Sequence, residues 1–160
     1  MAIGVGDKIP DVTLQTMAAE GPRPISTREV FAGKKVVLFG VPGAFTPTCS
    51  DHHLPGFVLR AEDILKKGVD RIVGTAVNDV FVMDAWGKVR EVGDKVLLLA
   101  DGNGDFARAL GLEQDSSRWG MGRRSRRYAA VVEDGVVKTL HVEEPGKLEV
   151  STADAILQDL

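Results

Sequence analysis

The sequence predicts an α/β fold, a central mixed β-sheet flanked by helices, in a single domain spanning residues 1–160. Three observations predict it. Strand-length apolar, β-branched runs alternate with segments of helical periodicity through the first two thirds of the chain. Asp134-Gly135 then sits between two further apolar runs, as a two-residue hairpin turn does. A capped amphipathic segment closes the chain. With 44% hydrophobic residues in 160, the chain has the material for a core of its own and needs no disulfide or structural metal to complete one.

In order along the chain, Asp11 to Ala18 reads as a strand or ribbon, and Gly21-Pro22-Arg23-Pro24 as the turn after it. Ser26 and Glu29 form a capping box, with Ile25 and Val30 at the staple positions, for a short helix that stops at Gly33. Lys34 to Val41, Asp70 to Val77 and Val96 to Ala100 suit parallel strands buried on both faces. Between the first two, Phe57, Ala61, Ile64 and Leu65 fall at helical spacing, with Lys66 and Lys67 in the last turn and Gly68 past the end. Between the second and third, Asn78 or Asp79 caps a helix that turns Met83, Trp86 and Val89 towards the core. A short helix from about Gly104 to Leu110 ends at Gly111. Tyr128 to Glu133 and Val136 to Val142 form the hairpin, and Ser151-Thr152-Ala153-Asp154 caps a last helix whose Ala153, Ile156, Leu157 and Leu160 share one face. A βαβ start followed by a hairpin and a closing helix is the layout of a thioredoxin-like sandwich.

Composition narrows the function classes. Twenty Lys+Arg against 23 Asp+Glu give a net charge of -3, so the chain carries no overall cationic field for nucleic acid or an anionic membrane. No apolar run approaches the roughly 20 residues of a membrane-spanning helix. The N-terminus has neither a basic segment followed by an apolar one nor an Arg/Ser-rich stretch, and a cytoplasmic location is expected. Cys49 is the sole cysteine, which removes intramolecular disulfide scaffolds and zinc modules built on several thiolates.

That cysteine follows Pro42-Gly43-Ala44-Phe45-Thr46-Pro47-Thr48 at the carboxyl end of the first core strand, where open α/β sheets form their ligand crevices. With Thr46 as N-cap and Pro47 at N1, Cys49 falls at N3. There the helix dipole and unpaired N–H groups favour a thiolate. A buried structural cysteine is the other reading of the same residue. Three weaker signals stand beside it. Cys49, His52 and His53 have soft-ligand character, against which His53 reads as a structural hydrogen-bonding residue. Five arginines lie between Arg118 and Arg127, either as a local nucleic-acid or anion patch, against which the acidic total argues, or as solvated and paired side chains. Gly102-Asn103-Gly104-Asp105-Phe106-Ala107 fits a loose dinucleotide pattern but lacks the acidic residue expected about 20 positions on.

Val41-Pro42-Gly43-Ala44-Phe45-Thr46-Pro47-Thr48-Cys49-Ser50 followed by His53-Leu54-Pro55-Gly56-Phe57 resembles the active-site motif of the peroxiredoxins, in the subfamily of animal peroxiredoxin-five and plant type II enzymes. The likeness extends through Val77-Asn78-Asp79, Trp86, Arg124 to Tyr128 and Val131 to Gly135. It implies a thioredoxin fold and reduction of hydrogen peroxide and organic hydroperoxides at Cys49 through a sulfenic acid. Thr46 would hydrogen-bond thiolate and peroxide, Pro42 would shield the pocket and Arg127 would complete it. The resemblance implies no cofactor and no metal. It also suggests a homodimer packed near the active-site face. Animal relatives place a resolving cysteine in the segment resembling Leu148 to Ser151, and plant relatives place one where this chain has Gly74. Neither thiol exists here, so the sulfenate needs an external thiol, glutathione with glutaredoxin first and thioredoxin second. A cationic rim at Arg123 and Arg124 would suit the carboxylates of glutathione. The competing class is a thioredoxin-like redox sensor or binding module that uses Cys49 without turnover.

Overall fold

The computed structural model describes residues 2–160. Its strands are β1 (Thr13–Ala18), β2 (Gly21–Ser26), β3 (Lys35–Val41), β4 (Arg71–Ala76), β5 (Leu97–Ala100), β6 (Glu113–Asp115), β7 (Arg123–Ser125), β8 (Tyr128–Glu133) and β9 (Val136–Val142). The helices are α1 (Thr27–Phe31), α2 (Leu54–Leu59), α3 (Ala61–Leu65), α4 (Val80–Val89), α5 (Asp105–Leu110) and α6 (Ala153–Leu157). A seven-stranded mixed sheet runs β2-β1-β5-β4-β3-β8-β9, and β6 pairs with β7 apart from it. β3, β4 and β5 are parallel, whereas β8 runs antiparallel to β3 and β9 to β8.

The alternation of β3 builds a core on each face of the sheet. Val37, Phe39 and Val41 join Phe57, Ile64, Met83, Trp86 and Ile156 on one side, beneath α2, α4 and α6. Val36 and Leu38 join Val30, Phe31, Leu99, Phe106 and Tyr128 on the other, beneath α1 and α5. Each such large side chain taken fully out of water is worth about 1.5–3 kcal/mol. Gly40 lies opposite Tyr128 in the β3–β8 register, and a Cβ there would run into the tyrosine ring.

Local signals place most elements. The Ser26 hydroxyl accepts from Glu29 N–H at 3.1 Å, while the Glu29 carboxylate turns away to pair with Arg23, so half of the capping box forms. Asp79 and Thr152 cap α4 and α6 through N–H bonds from Val82 and Ala155. Gly111 takes a left-handed φ of 70° and ends α5. Three expectations change. Gly21 to Pro24 is not a turn but the start of β2, whose position at the sheet edge lets it carry Pro22 and Pro24 without losing interior ladder bonds. The helix from Phe57 to Leu65 breaks at Arg60 into α2 and α3, with Leu65 partly exposed. Val89 points to solvent in the last turn of α4, while Met83 and Trp86 are buried as expected.

Candidate active site

The Pro42–Thr46 loop leaves the carboxyl end of β3 and starts a helix at Pro47. Ser50 N–H donates to Thr46 O at 2.9 Å, so Thr46 is the N-cap residue and Cys49 is third in the helix, in its first turn. From Cys49 to His53 the helix widens into a π-turn, with Leu54 N–H donating to Cys49 O. Pro55 follows immediately, and because it has no N–H it cannot donate to Asp51 O in an ordinary α-turn. π-turns inside helices gather at functional sites. Indole Nε1–H of Trp86 holds the turn by donating to Ser50 Oγ at 2.8 Å, and Arg90 donates to Asp51 Oδ1 at 3.1 Å.

Cys49 is buried at the centre of this arrangement. Arg127, between β7 and β8, donates from Nη2 to Cys49 Sγ at 3.1 Å and from Nη1 to His53 Nδ1 at 2.9 Å. His53 Nε2 lies 2.8 Å from Ser151 O. Arginine cannot accept and a carbonyl cannot donate, so the contacts fix His53 as the neutral Nε2–H tautomer, with Nδ1 as acceptor. Burial and then the Arg127 charge push its pKa down to about 3. Both ring nitrogens are spent, which leaves His53 no lone pair for a metal. The His53 ring rests on Phe39 and Phe57, which stack at 4.3 Å with an interplanar angle of 3°.

The loop ahead of the cysteine is held by two hydrogen bonds, and the segments beside it are tied together by Arg124. Thr46 Oγ–H donates to Gly43 O at 2.6 Å. Ala44 N–H donates to Asn78 Oδ1 at 2.9 Å. Arg124 donates to Met121 O and Val77 O, each at 2.8 Å, tying β7 to the end of β4. Pro42 and Thr46 are half-buried around this loop, whereas Phe45 takes a left-handed φ of 65° and is 48% exposed. Of the five clustered arginines, Arg124, Arg126 and Arg127 are thus committed to protein acceptors, and Arg118 and Arg123 remain at the surface. Arg118 stacks over Trp119 at 5.0 Å. The dinucleotide pattern at Gly102 to Ala107 has no room for phosphate, because the Asp101 carboxylate already accepts the Phe106 and Ala107 N–H groups.

A thiol in a first helical turn, with a permanent cation on its sulfur and a loop of fixed polar groups beside it, is arranged for nucleophilic attack on a small electron-poor atom. Comparisons with known proteins agree. The Redoxin family model matches residues 4–157. Peroxiredoxin-2E-2, chloroplastic, of Oryza sativa subsp. japonica is 52% identical, over 99% of this chain and 72% of its own length. Peroxiredoxin-2B of Arabidopsis thaliana is 48% identical over 99% of this chain and 98% of its own. Reduced Prx3 of Vibrio vulnificus, solved in complex with H2O2, superposes with a TM-score of 0.94 at 50% identity, over 98% of each chain. The chain belongs to the peroxiredoxin family. It is a thiol peroxidase with the thioredoxin-like fold of that family.

This peroxiredoxin has one cysteine, and other groups occupy both positions at which the resemblance implies a second thiol. A Cβ at Gly74 would lie 2.6 Å from Phe39 Cζ and 3.0 Å from Leu98 Cδ2, so the Phe39 ring occupies the space of a side chain. At the other position, Glu149, Val150 and Ser151 wrap their N–H groups around the Glu143 carboxylate. Sequence reasoning read His53 as structural, took Asn78 and Ser151 only as helix-cap candidates, and passed over Glu143. The spacing of Cys49 and His53, one helical turn apart, signalled a shared face, but not that Arg127 would be what they share.

Proposed function

We propose that Cys49 is the peroxidatic nucleophile, that Arg127 and Thr46 orient the peroxide, that Pro42 shields the pocket, and that glutathione with glutaredoxin returns the electrons. The observation that carries this reading is the 3.1 Å contact of Arg127 Nη2 with Cys49 Sγ. A guanidinium holds its proton throughout, so it favours the thiolate and then the negative charge that builds on the peroxide oxygens. The sulfur attacks one peroxide oxygen, the O–O bond breaks, and the leaving oxygen takes a proton to depart as water or an alcohol. Cys49 is left as sulfenic acid. A glutathione thiol attacks that sulfur and water leaves, giving a mixed disulfide; a second thiol then releases Cys49 and carries away the disulfide.

An external reductant follows from the chain's chemistry, since Cys49 is its sole cysteine. Arg118 and Arg123, exposed on the segment whose Met121 and Arg124 approach Gly43, suit the carboxylates of glutathione. Arg124 does not, being spent on two carbonyls. Phe45, Phe81 and Trp119 are 48%, 65% and 70% exposed on or beside loops that touch one another at this end of the sheet. Such an apolar rim supports a homodimer packed near the site. A cytoplasmic location, where a single thiol stays reduced, completes the reading.

Turnover tests it: peroxide consumption followed in the presence of glutathione, glutaredoxin and a recycling reductase, and separately with thioredoxin. Sustained turnover with glutathione, lost in Cys49→Ser, supports the proposal. Turnover with thioredoxin alone would replace the reductant. A single oxidation that then stops in both systems would mark a redox sensor. Concentration-dependent sedimentation tests the dimer.

A further inference from the structure

Glu143 sits at the end of β9, buried at 3% exposure, and its carboxylate never touches Cys49. One oxygen, Oε2, accepts the N–H groups of Glu149, Val150 and Ser151, each at 2.8 Å, and the Ser151 hydroxyl at 2.7 Å. Consecutive N–H groups converging on one anion make a backbone nest, here filled by the protein's own carboxylate. Burial pushes the Glu143 carboxyl up, but the Ser151 hydroxyl and the three N–H groups outweigh it and hold it below the usual carboxylate range.

The anchored segment leads to the sulfur. Ser151 O receives His53 Nε2–H, His53 Nδ1 receives Arg127 Nη1–H, and Arg127 Nη2 reaches Cys49. The backbone closes the ring, because Glu143 N–H donates to Arg127 O at 2.9 Å. An arginine side chain is rich in rotamers, and one contact with sulfur leaves much of that freedom in place. A carboxylate placed directly on Arg127 would orient it but also cancel the charge the thiolate needs. The relay avoids this by putting a neutral imidazole on the guanidinium and the anion three links away, beyond His53 and Ser151.

We propose that Glu143 is a positioning residue for peroxide reduction: by folding Glu149 to Ser151 around its carboxylate it sets the Ser151 carbonyl, and through His53 it fixes the Arg127 fork on the Cys49 sulfur. This rests on the reading of Arg127 as a catalytic group.

The test is the second-order rate of single-turnover oxidation by hydrogen peroxide for Glu143→Gln, Ser151→Ala, Arg127→Gln and the Glu143→Gln/Arg127→Gln double variant, with circular dichroism confirming the fold. Glu143→Gln is expected to slow oxidation by about tenfold or more, since a misplaced catalytic group of about 1 Å can cost 10²-fold. Ser151→Ala is expected to slow it less. The Glu143→Gln loss does not come from mere unfolding if the substitution adds nothing in the Arg127→Gln background, which is the coupling expected of residues acting as one unit. A folded Glu143→Gln with the unaltered rate, or a loss fully additive with Arg127→Gln, overturns the proposal. Should Glu143→Gln not fold, an undiminished rate in Ser151→Ala overturns it. An unaltered rate in Arg127→Gln alone refutes the catalytic role of Arg127, and the relay with it.

Discussion

Arg127 Nη1 donates to the lone pair of His53 Nδ1 at 2.9 Å, so the cation beside Cys49 is oriented by a neutral ring. The neutrality of His53 is a product of the fold. Burial strips water from the imidazolium and Arg127 repels it, which brings the pKa to about 3 from 6.5. The unfolded chain takes up a proton at His53 below pH 6.5, while the folded chain refuses it down to about pH 3. Stability therefore falls as pH falls through that window, by about 1.4 kcal/mol per pH unit from this residue. Urea unfolding at pH 7, 6, 5 and 4 is expected to show that slope steeper in the parent protein than in His53→Gln, whose amide can still accept from Arg127 and donate to Ser151 O. Equal slopes would mean that His53 titrates normally.

Replacing Arg127 with lysine keeps the charge and loses the fork. One ammonium on a flexible stem cannot hold Sγ and His53 Nδ1 together as the guanidinium does. Arg127→Lys is expected to lower the second-order rate with hydrogen peroxide by about 10²-fold. A rate within about twofold of the parent would show that charge alone suffices.

Trp86 donates to Ser50 Oγ inside the core, beneath the π-turn. Trp86→Phe keeps most of the apolar contact but orphans the serine hydroxyl, at a cost of about 1–3 kcal/mol. Denaturant unfolding of Trp86→Phe against a Trp86→Phe/Ser50→Ala double variant is expected to return part of that loss. If it does not, the bond contributes little beyond packing.

Gly74 leaves its side-chain space to Phe39, whose ring also supports His53. Gly74→Ala is expected to destabilise the protein by about 1–3 kcal/mol through overpacking. Adding Phe39→Leu shortens the clashing side chain and is expected to return part of the loss. Calorimetric melting of Gly74→Ala, Phe39→Leu and the double variant decides it, and purely additive losses would show that the two sites do not compete for space.

How much of this was readable in the chain depends on the range of each interaction. Thr46, Pro47 and Cys49 lie within four residues, and helix-capping rules alone place the cysteine in the first helical turn. The Asp134-Gly135 hairpin and the caps at Asp79 and Thr152 were legible for the same reason. β2 was misread because a Gly-Pro-Arg-Pro run reads locally as a turn, whereas prolines fit a strand at a sheet edge, and edge position is a property of the whole sheet. Val89 was misread because the helical stripe does not say where a helix leaves the core. The His53, Arg127, Glu143 and Ser151 chain brings together residues as far apart as 98 positions. No local pattern carries that. A run of five arginines likewise says nothing of which ones meet carbonyls and which meet water.

The most direct measurement is the intact mass of the reduced protein, followed in time after one equivalent of hydrogen peroxide and then glutathione, with Cys49→Ser alongside. Cys49 is expected to gain one oxygen far faster than free cysteine does, and the oxidised protein then to lose that oxygen as it takes up one glutathione. Oxidation no faster than that of an ordinary thiol, or oxygen uptake that persists in Cys49→Ser, would contradict it.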